Sequence, residues 1–267
     1  MSAPRQGEIA VEGGKLAYEI AGEGPALVLI HGFSLDMRMW QPQIAALASN
    51  HTIIRYDLRG FGRSSLPVSE YDHCADLDAL LTKLDIQEPT LVGLSLGANI
   101  ALRYATLEAS KVRAQILAAP GLPGHAWSTP RPPEETRAHA LEHGVEAGRQ
   151  FWLDHALFAS LNDHPEARAT VHKIVADYSG WHWRETDLQA ASAPIIPKLG
   201  LIDIPALILS GEHDAEGYRE IAARLSRELP NAELKVIADA GHMLNLEQPD
   251  IFTELVRRFA DGQMLEA

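Results

Sequence analysis

The sequence predicts an α/β protein with a mostly parallel, eight-stranded sheet that is flanked by helices and carries a helical insertion. Apolar runs of strand length recur along the chain, and the run 26–30 contains no polar residue, which is typical of a strand buried on both faces. Segments with helical periodicity separate these runs, and the segment 72–84 has leucines at positions 77, 80, 81 and 84. Such alternation predicts right-handed crossovers and a doubly wound parallel sheet.

The predicted elements follow one another in a regular order. Residues 8–11 and 16–20 flank the glycine pair Gly13-Gly14, which predicts an antiparallel hairpin at one edge of the sheet. The other six strands are predicted at residues 26–30, 52–56, a segment ending at Val92, 112–118, 205–210 and 233–238. Helices are predicted at residues 39–48 and 72–84, from Asn99 onward, and at residues 218–229 and 249–259.

The composition changes between residues 122 and 198. Residues 122–133 are rich in proline and glycine, and residues 134–178 have the spacing of amphipathic helices without an intervening strand pattern. We therefore predict a core made of residues 1–121 and 199–267, with residues 122–198 inserted as a helical cap.

Composition excludes several classes of partner. The formal net charge is −13, from 36 acidic and 23 basic residues, and argues against binding to nucleic acid or an anionic membrane. A single cysteine permits no intrachain disulfide, and the first residues lack the apolar segment of a signal peptide, so a cytoplasmic location is expected. No apolar stretch approaches the roughly 18 residues of a membrane span. The sequence leaves the oligomeric state open.

Ser95 is the predicted nucleophile. It lies between Gly93 and Gly97, where a predicted buried strand ends and a predicted helix begins. A serine on so sharp a turn occupies a sparsely populated backbone region, and side chains at the two flanking positions would collide with the turn and the neighbouring strand. This pattern is typical of a nucleophile elbow, which presents one hydroxyl above the sheet.

A serine hydroxyl needs a base, and the base needs an acid to orient it. His242 directly follows the last predicted strand, and Asp214 ends the loop after the preceding strand, which gives the chain order serine, aspartate, histidine. Glu212 and Asp239 are the alternative acids. Asp214 is preferred because Glu212 lies nearer its strand end and Asp239 lies in the same loop as the histidine.

Two backbone amides are predicted to stabilise a developing oxyanion. Leu96 follows the nucleophile at the start of a helix, where its N–H has no partner in the helix, and Phe33 follows His31-Gly32 at the end of another strand. His31, Asp57 and Arg59 are interpreted as residues that brace loops.

Together, the segments 31–33, 57–64, 93–97, 211–214 and 241–242 resemble the α/β-hydrolase superfamily, and within it the bacterial carboxylesterase and enol-lactone-hydrolase type. The resemblance implies the α/β-hydrolase fold and a serine hydrolase that needs neither a metal nor an organic cofactor. Dehalogenases and epoxide hydrolases of this superfamily use an aspartate nucleophile, which Ser95 excludes. Haloperoxidase-like perhydrolases usually have methionine after the serine, where this chain has Leu96.

The expected activity is hydrolysis of small to medium, mainly neutral carboxylic esters through an acyl-enzyme. A lactonase or enol-lactone hydrolase, and a ligand sensor on the same fold, are the alternatives. Trp181 and Trp183 are predicted to lie on one side of an extended stretch and to line an apolar substrate pocket, with His182 facing away in a structural role. Residues 178–183 contain no arginine or lysine to pair with a substrate carboxylate, which favours neutral substrates.

Overall fold

The fold is described from a computed structural model, for residues 4–127, 130–191 and 193–263. Its sheet has eight strands in the order β1-β2-β4-β3-β5-β6-β7-β8. Their bounds are β1 (Arg5–Val11), β2 (Gly14–Ala21), β3 (Ala26–Ile30), β4 (Thr52–Tyr56), β5 (Thr90–Leu94), β6 (Ala114–Ala118), β7 (Ala206–Gly211) and β8 (Ala232–Ile237). The predicted ranges 1–121, 122–198 and 199–267 include residues 1–3, 128–129, 192 and 264–267, which lie outside the described residues.

The sheet contains both antiparallel and parallel strand pairs, as predicted. β1 pairs with β2 in an antiparallel hairpin whose turn contains Gly13 at φ +70°, and β2 pairs antiparallel with β4. All pairs from β4 through β3, β5, β6 and β7 to β8 are parallel. The predicted α/β-hydrolase architecture is confirmed, and the carboxyl ends of the parallel strands meet at one edge of the sheet.

Most of the helices overlap the intervals that the apolar periodicity predicts, but the short helices at residues 181–184 and 244–247 were not predicted. Their bounds are α1 (Gln41–Leu47), α2 (His73–Leu84), α3 (Leu96–Leu107), α4 (Pro132–His143), α5 (Val145–Leu153), α6 (Pro165–Asp177), α7 (Trp181–Arg184), α8 (Glu216–Glu228), α9 (Leu244–Glu247) and α10 (Pro249–Ala260). Within the described residues, no helix combines the length and the apolar composition needed to cross a membrane.

Local sequence explains where these elements begin. The side chain of Asp72 accepts a hydrogen bond from the Cys74 amide at 2.7 Å and so caps the start of α2. Pro249 opens α10, where its fixed φ suits the first turn and its missing N–H costs nothing. The segment between β6 and β7 contains α4 to α7.

His31 braces the loops at the ends of β3 and β4. Its Nδ1 lies 2.8 Å from the Gly32 carbonyl oxygen, and its Nε2 accepts a hydrogen bond from the Leu58 amide at 2.9 Å. The carbonyl can only accept, so Nδ1 carries the proton. Both ring nitrogens are thereby used within loop structure, which agrees with the structural role predicted for His31.

Asp57 and Arg59 also hold loops in place. The carboxylate of Asp57 accepts hydrogen bonds from the amides of Met37 and Arg63, each at 2.8 Å. Arg59 forms a buried ion pair with Asp76 on α2 through two hydrogen bonds of 2.6 and 2.9 Å. These contacts fix the loop after β4 next to the strand ends that carry the candidate site.

Candidate active site

Ser95 occupies the turn between β5 and α3 in a strained conformation, with φ 54° and ψ −108°. A Cβ atom at Gly93 would overlap the backbone of Gly97, and one at Gly97 would overlap the carbonyl oxygen of Ile30 in β3. Both glycines are therefore required by close backbone approach, as predicted. The serine hydroxyl lies at the carboxyl edge of the sheet, at the start of a helix.

His242 and Asp214 form a buried pair. The Nδ1 atom of His242 lies 3.0 and 3.1 Å from the two carboxylate oxygens of Asp214. The side chains are only 4% and 0% exposed. An ionised carboxylate can only accept, so Nδ1 carries the ring proton of the neutral imidazole and Nε2 is left as the basic nitrogen.

The two alternative acids lie elsewhere. Glu212 accepts a hydrogen bond from the Asp239 amide at 3.1 Å, and the Asp239 carboxylate accepts one from Gln248 at 3.2 Å. More than half of the side chain of each is exposed. Within the described residues, Asp214 is the acid that contacts the His242 ring.

Glu247 on α9 was not predicted from sequence, although it holds the loop that carries His242. Its carboxylate accepts hydrogen bonds from the backbone amides of Gly241 and Met243, the two residues that flank His242. Glu247 is 5% exposed. An acidic residue in a short C-terminal helix has no sequence signal that distinguishes it from a solvated surface residue.

Tyr218 on α8 is a second residue that sequence reasoning missed. Its ring centroid lies 4.3 Å from that of His242, and its hydroxyl interacts with the side chain of Ser95. Burial raises the pKa of Tyr218, so the hydroxyl stays protonated. Tyr218 lies on the same helix as the buried Ile221 and Leu225, and this apolar spacing suggests a core residue rather than a site residue.

Leu96 and Phe33 carry the two backbone amides that are predicted to stabilise an oxyanion. Leu96 is the first residue of α3, and Phe33 lies in the loop after β3. Within the described residues, neither amide donates a hydrogen bond to a loop or side-chain acceptor. Both residues line the same cavity as Ser95.

That cavity has a volume of about 640 Å³, which is within the usual range for small-molecule sites. Ser95, Leu96 and Tyr218 line one part of it, while Trp127 and His182 reach it from the segment between β6 and β7. The cavity therefore brings the predicted nucleophile together with side chains of the inserted segment.

The prediction of an extended stretch at Trp181 and Trp183 is wrong. Residues 181–184 form the short helix α7, in which positions two apart point in nearly opposite directions. Trp181 is 7% exposed and Trp183 is fully buried, with its ring against Tyr178 at 5.0 Å. Within the described residues, His182 lines the cavity and neither tryptophan does.

Replacement of Trp183 with alanine should therefore affect stability rather than substrate choice. Removal of a fully buried indole leaves a cavity, so we expect the free energy of unfolding to fall by about 3–5 kcal/mol. Urea denaturation measures this change, and the profile of kcat/KM against acyl-chain length should keep its shape. A shift of that profile toward longer chains at unchanged stability would contradict this placement.

Three arginines outside residues 178–183 line the cavity, so the absence of cations from that short stretch does not by itself determine the charge around a substrate. Arg103 forms two hydrogen bonds of 2.6 Å with the carboxylate of Asp72. Arg131 pairs with Glu134 at 2.5 Å, and Arg137 donates to a backbone carbonyl at 3.2 Å. Two of the three cations thus already have a carboxylate partner.

Comparison with known proteins supports the fold described above. Residues 27–255 match the model of the family described as the alpha/beta hydrolase family. An esterase structure from Thermogutta terrifontis superposes with a TM-score of 0.83 at 26% identity, covering 97% of this chain and 98% of that one. The sequence is 27% identical to 3-oxoadipate enol-lactonase 1 of Acinetobacter baylyi, over 93% of this chain and 94% of that protein. It is 29% identical to the non-heme chloroperoxidase CPO-A1 of Kitasatospora aureofaciens, over 86% and 90%.

Proposed function

Because this chain belongs to the alpha/beta hydrolase family, we propose that it is a serine hydrolase that cleaves carboxylic esters through an acyl-enzyme. The observation that carries the proposal is the buried contact between His242 and Asp214 at the edge of the sheet where Ser95 occupies its strained turn. Ser95, Asp214 and His242 follow β5, β7 and β8, and the carboxyl ends of these parallel strands lie at one edge of the sheet, which is the arrangement that covalent catalysis by serine requires.

In the proposed reaction, the Ser95 hydroxyl attacks the ester carbonyl while Nε2 of His242 accepts its proton. Asp214 keeps the ring oriented and stabilises the imidazolium. The amides of Phe33 and Leu96 donate to the tetrahedral oxyanion. Collapse expels the alcohol, which takes the proton from His242, and a water molecule then hydrolyses the acyl-enzyme by the same steps.

Residues 122–198 would act as a cap over this site. The indole N–H of Trp152 donates to the Ser34 hydroxyl at 2.7 Å, and the Trp152 ring lies 5.6 Å from that of Phe33. These contacts join α5 to the loop that carries one of the oxyanion amides. The cavity volume and the paired arginines favour small to medium, mainly neutral substrates.

Lactone hydrolysis is the second candidate, favoured by the likeness to an enol-lactonase, and it would use the same five residues. A ligand sensor is the candidate from another class. A chloroperoxidase-like activity is disfavoured as a main function by Leu96, which follows the serine.

A panel of aryl esters of increasing acyl length, run beside simple lactones and an enol-lactone, tests the proposal. We expect steady multiple turnover, with the highest kcat/KM on short to medium esters. Higher kcat/KM on the lactones would favour the lactonase, and one turnover followed by a stable adduct would favour the sensor. Absence of any acylation of Ser95 would contradict the serine mechanism.

A further inference from the structure

His182 presents a fixed hydrogen-bond donor on the cavity wall. The Tyr178 hydroxyl accepts a hydrogen bond from the His182 backbone amide at 3.1 Å and lies 2.7 Å from Nδ1 of the ring. Within the described residues, Nδ1 is the acceptor available to the buried phenol proton, so Tyr178 donates to Nδ1. A neutral imidazole carries one proton, which this contact assigns to Nε2.

The surroundings hold the His182 ring in one orientation and keep it neutral. The ring stacks on Phe61 at a centroid distance of 4.4 Å. A Cβ atom at Gly60 would lie 2.6 Å from ring atom Cε1, so the ring occupies the space that this glycine leaves free. Burial lowers the pKa of His182 below its usual value, which keeps the imidazole uncharged near pH 7.

The Nε2–H group of His182 makes no hydrogen bond within the described part of the chain. His182 is 7% exposed and lines the cavity. This donor is held by ring stacking and by the contact with Tyr178, and it has no partner among the described residues. It therefore requires a partner from a ligand or solvent.

A second neutral histidine lines the same cavity. His73 lies at the start of α2, is 1% exposed, and has a buried Nδ1 without a partner among the described residues. Burial lowers its pKa to about 3. Asn99 contributes a buried Oδ1 that has no partner within the described part of the chain, one turn along α3 from Ser95, about 6 Å by the rise of a helix.

The charge of this region selects the class of ligand group. Both imidazoles are neutral and cannot balance a substrate carboxylate, and the carboxylate of Asp187 also lines the cavity, where it accepts from Tyr71 at 2.9 Å. An anion placed beside Asp187 would be repelled by that carboxylate, whereas Arg137, which also lines the cavity and has no carboxylate partner among the described residues, would attract an anion placed beside it. An uncharged oxygen, such as that of a ketone, ether or amide, accepts a hydrogen bond at no such cost.

We propose that His182 and His73 form a neutral subsite in which the Nε2–H of His182 donates a hydrogen bond to an uncharged oxygen of the substrate, on either side of the scissile ester. The subsite rests on the proposed ester hydrolysis and gives its substrate class: esters that carry an additional neutral oxygen. His182 is the specificity-determining residue, and its Nε2–H is the donor.

Replacement of His182 with phenylalanine tests the subsite, because it keeps a ring to stack on Phe61 and removes the donor. The probes are two matched pairs: phenyl 4-oxopentanoate against phenyl pentanoate, and 4-oxopentyl acetate against pentyl acetate. For each pair, the preference for oxygen is kcat/KM of the oxygenated ester divided by kcat/KM of the plain ester. In at least one pair, we expect this ratio to be about threefold to tenfold higher in the wild-type protein than in His182→Phe, as one net hydrogen bond allows. The plain esters should change by less than about threefold.

His139→Phe is the matched control, because His139 stacks on Phe151 at 4.5 Å in the same inserted segment without lining the cavity. It should leave both ratios at the wild-type value. Tyr178→Phe is the second variant, because it keeps the stacked rings and releases Nδ1; it should lower the same ratio. Unchanged ratios in His182→Phe and Tyr178→Phe, for both pairs, would overturn the proposal.

Calorimetric binding separates this result from the proposed catalysis. Binding of the same ester pairs is measured with the Ser95→Ala variant and with the double variant that also carries His182→Phe. Because neither variant turns over the ester, the preference for oxygen is measured as the ratio of the two Kd values in each pair. If the wild-type protein hydrolyses no ester, the hydrolase proposal fails while the Kd ratio still reports on the subsite. Equal Kd ratios with and without His182 would contradict the subsite alone.

Discussion

Ser95→Ala should lower kcat for ester hydrolysis by roughly 10⁴-fold or more. Alanine keeps the backbone of the turn and removes the oxygen that the proposed mechanism acylates. Tyr218, whose hydroxyl interacts with Ser95, stays protonated because burial raises its pKa, and so it offers no replacement nucleophile. Steady-state kinetics on an aryl ester measures the loss, and circular dichroism checks that the fold is kept.

Ser160→Ala is a matched control for the nucleophile. The Ser160 hydroxyl is buried without a partner among the described residues, and it packs against Gly241, next to His242. It should change kcat by less than about threefold, because it has no role in the proposed chemistry. If Ser95→Ala kept more than about a tenth of wild-type turnover, the assignment of Ser95 would be wrong.

The sheet could be predicted because burial on both faces leaves a strong pattern. The predicted strands 26–30 and 52–56 coincide with β3 and β4, and in each strand every residue after the first is buried. The topology of a parallel sheet then brings the loops after β5, β7 and β8 together, which makes Ser95, Asp214 and His242 predictable as candidates.

The inserted segment was harder to predict because its elements are short. α7 has only four residues, too few for a helical period to appear, and alternate tryptophans read equally well as one face of an extended stretch. As a result, the sequence prediction assigned Trp183 to the substrate pocket and gave His182 a structural role. In the structure, Trp183 is fully buried and His182 lines the cavity.

Tyr218 and Glu247 were missed for a different reason. Their importance depends on what lies across from them, namely the His242 ring and the amides on either side of it. Neither the apolar spacing of α8 nor the composition of α9 contains that information. Residues that act through tertiary contacts of this kind become visible only once the strand ends are placed in space.

Asp214→Asn should lower kcat by about 10³–10⁴-fold, somewhat less than Ser95→Ala. The carboxylate holds the ring proton of His242 on Nδ1 through contacts of 3.0 and 3.1 Å, and an asparagine amide in its place can present a donor that favours the wrong tautomer. The charge that stabilises the imidazolium is lost as well. Steady-state kcat on the best aryl ester of the panel measures the effect.

Glu212→Gln and Asp239→Asn are the controls, since they remove the charge from the two alternative acids in the neighbouring loops. Both carboxylates are more than half exposed and bond to loop groups rather than to His242, so each variant should keep kcat within about threefold of wild type. A loss in either control as large as that of Asp214→Asn would reassign the orienting acid. Loss of activity in Asp214→Asn together with a lower melting temperature would instead indicate a folding defect, because orientation of His242 alone predicts an unchanged fold.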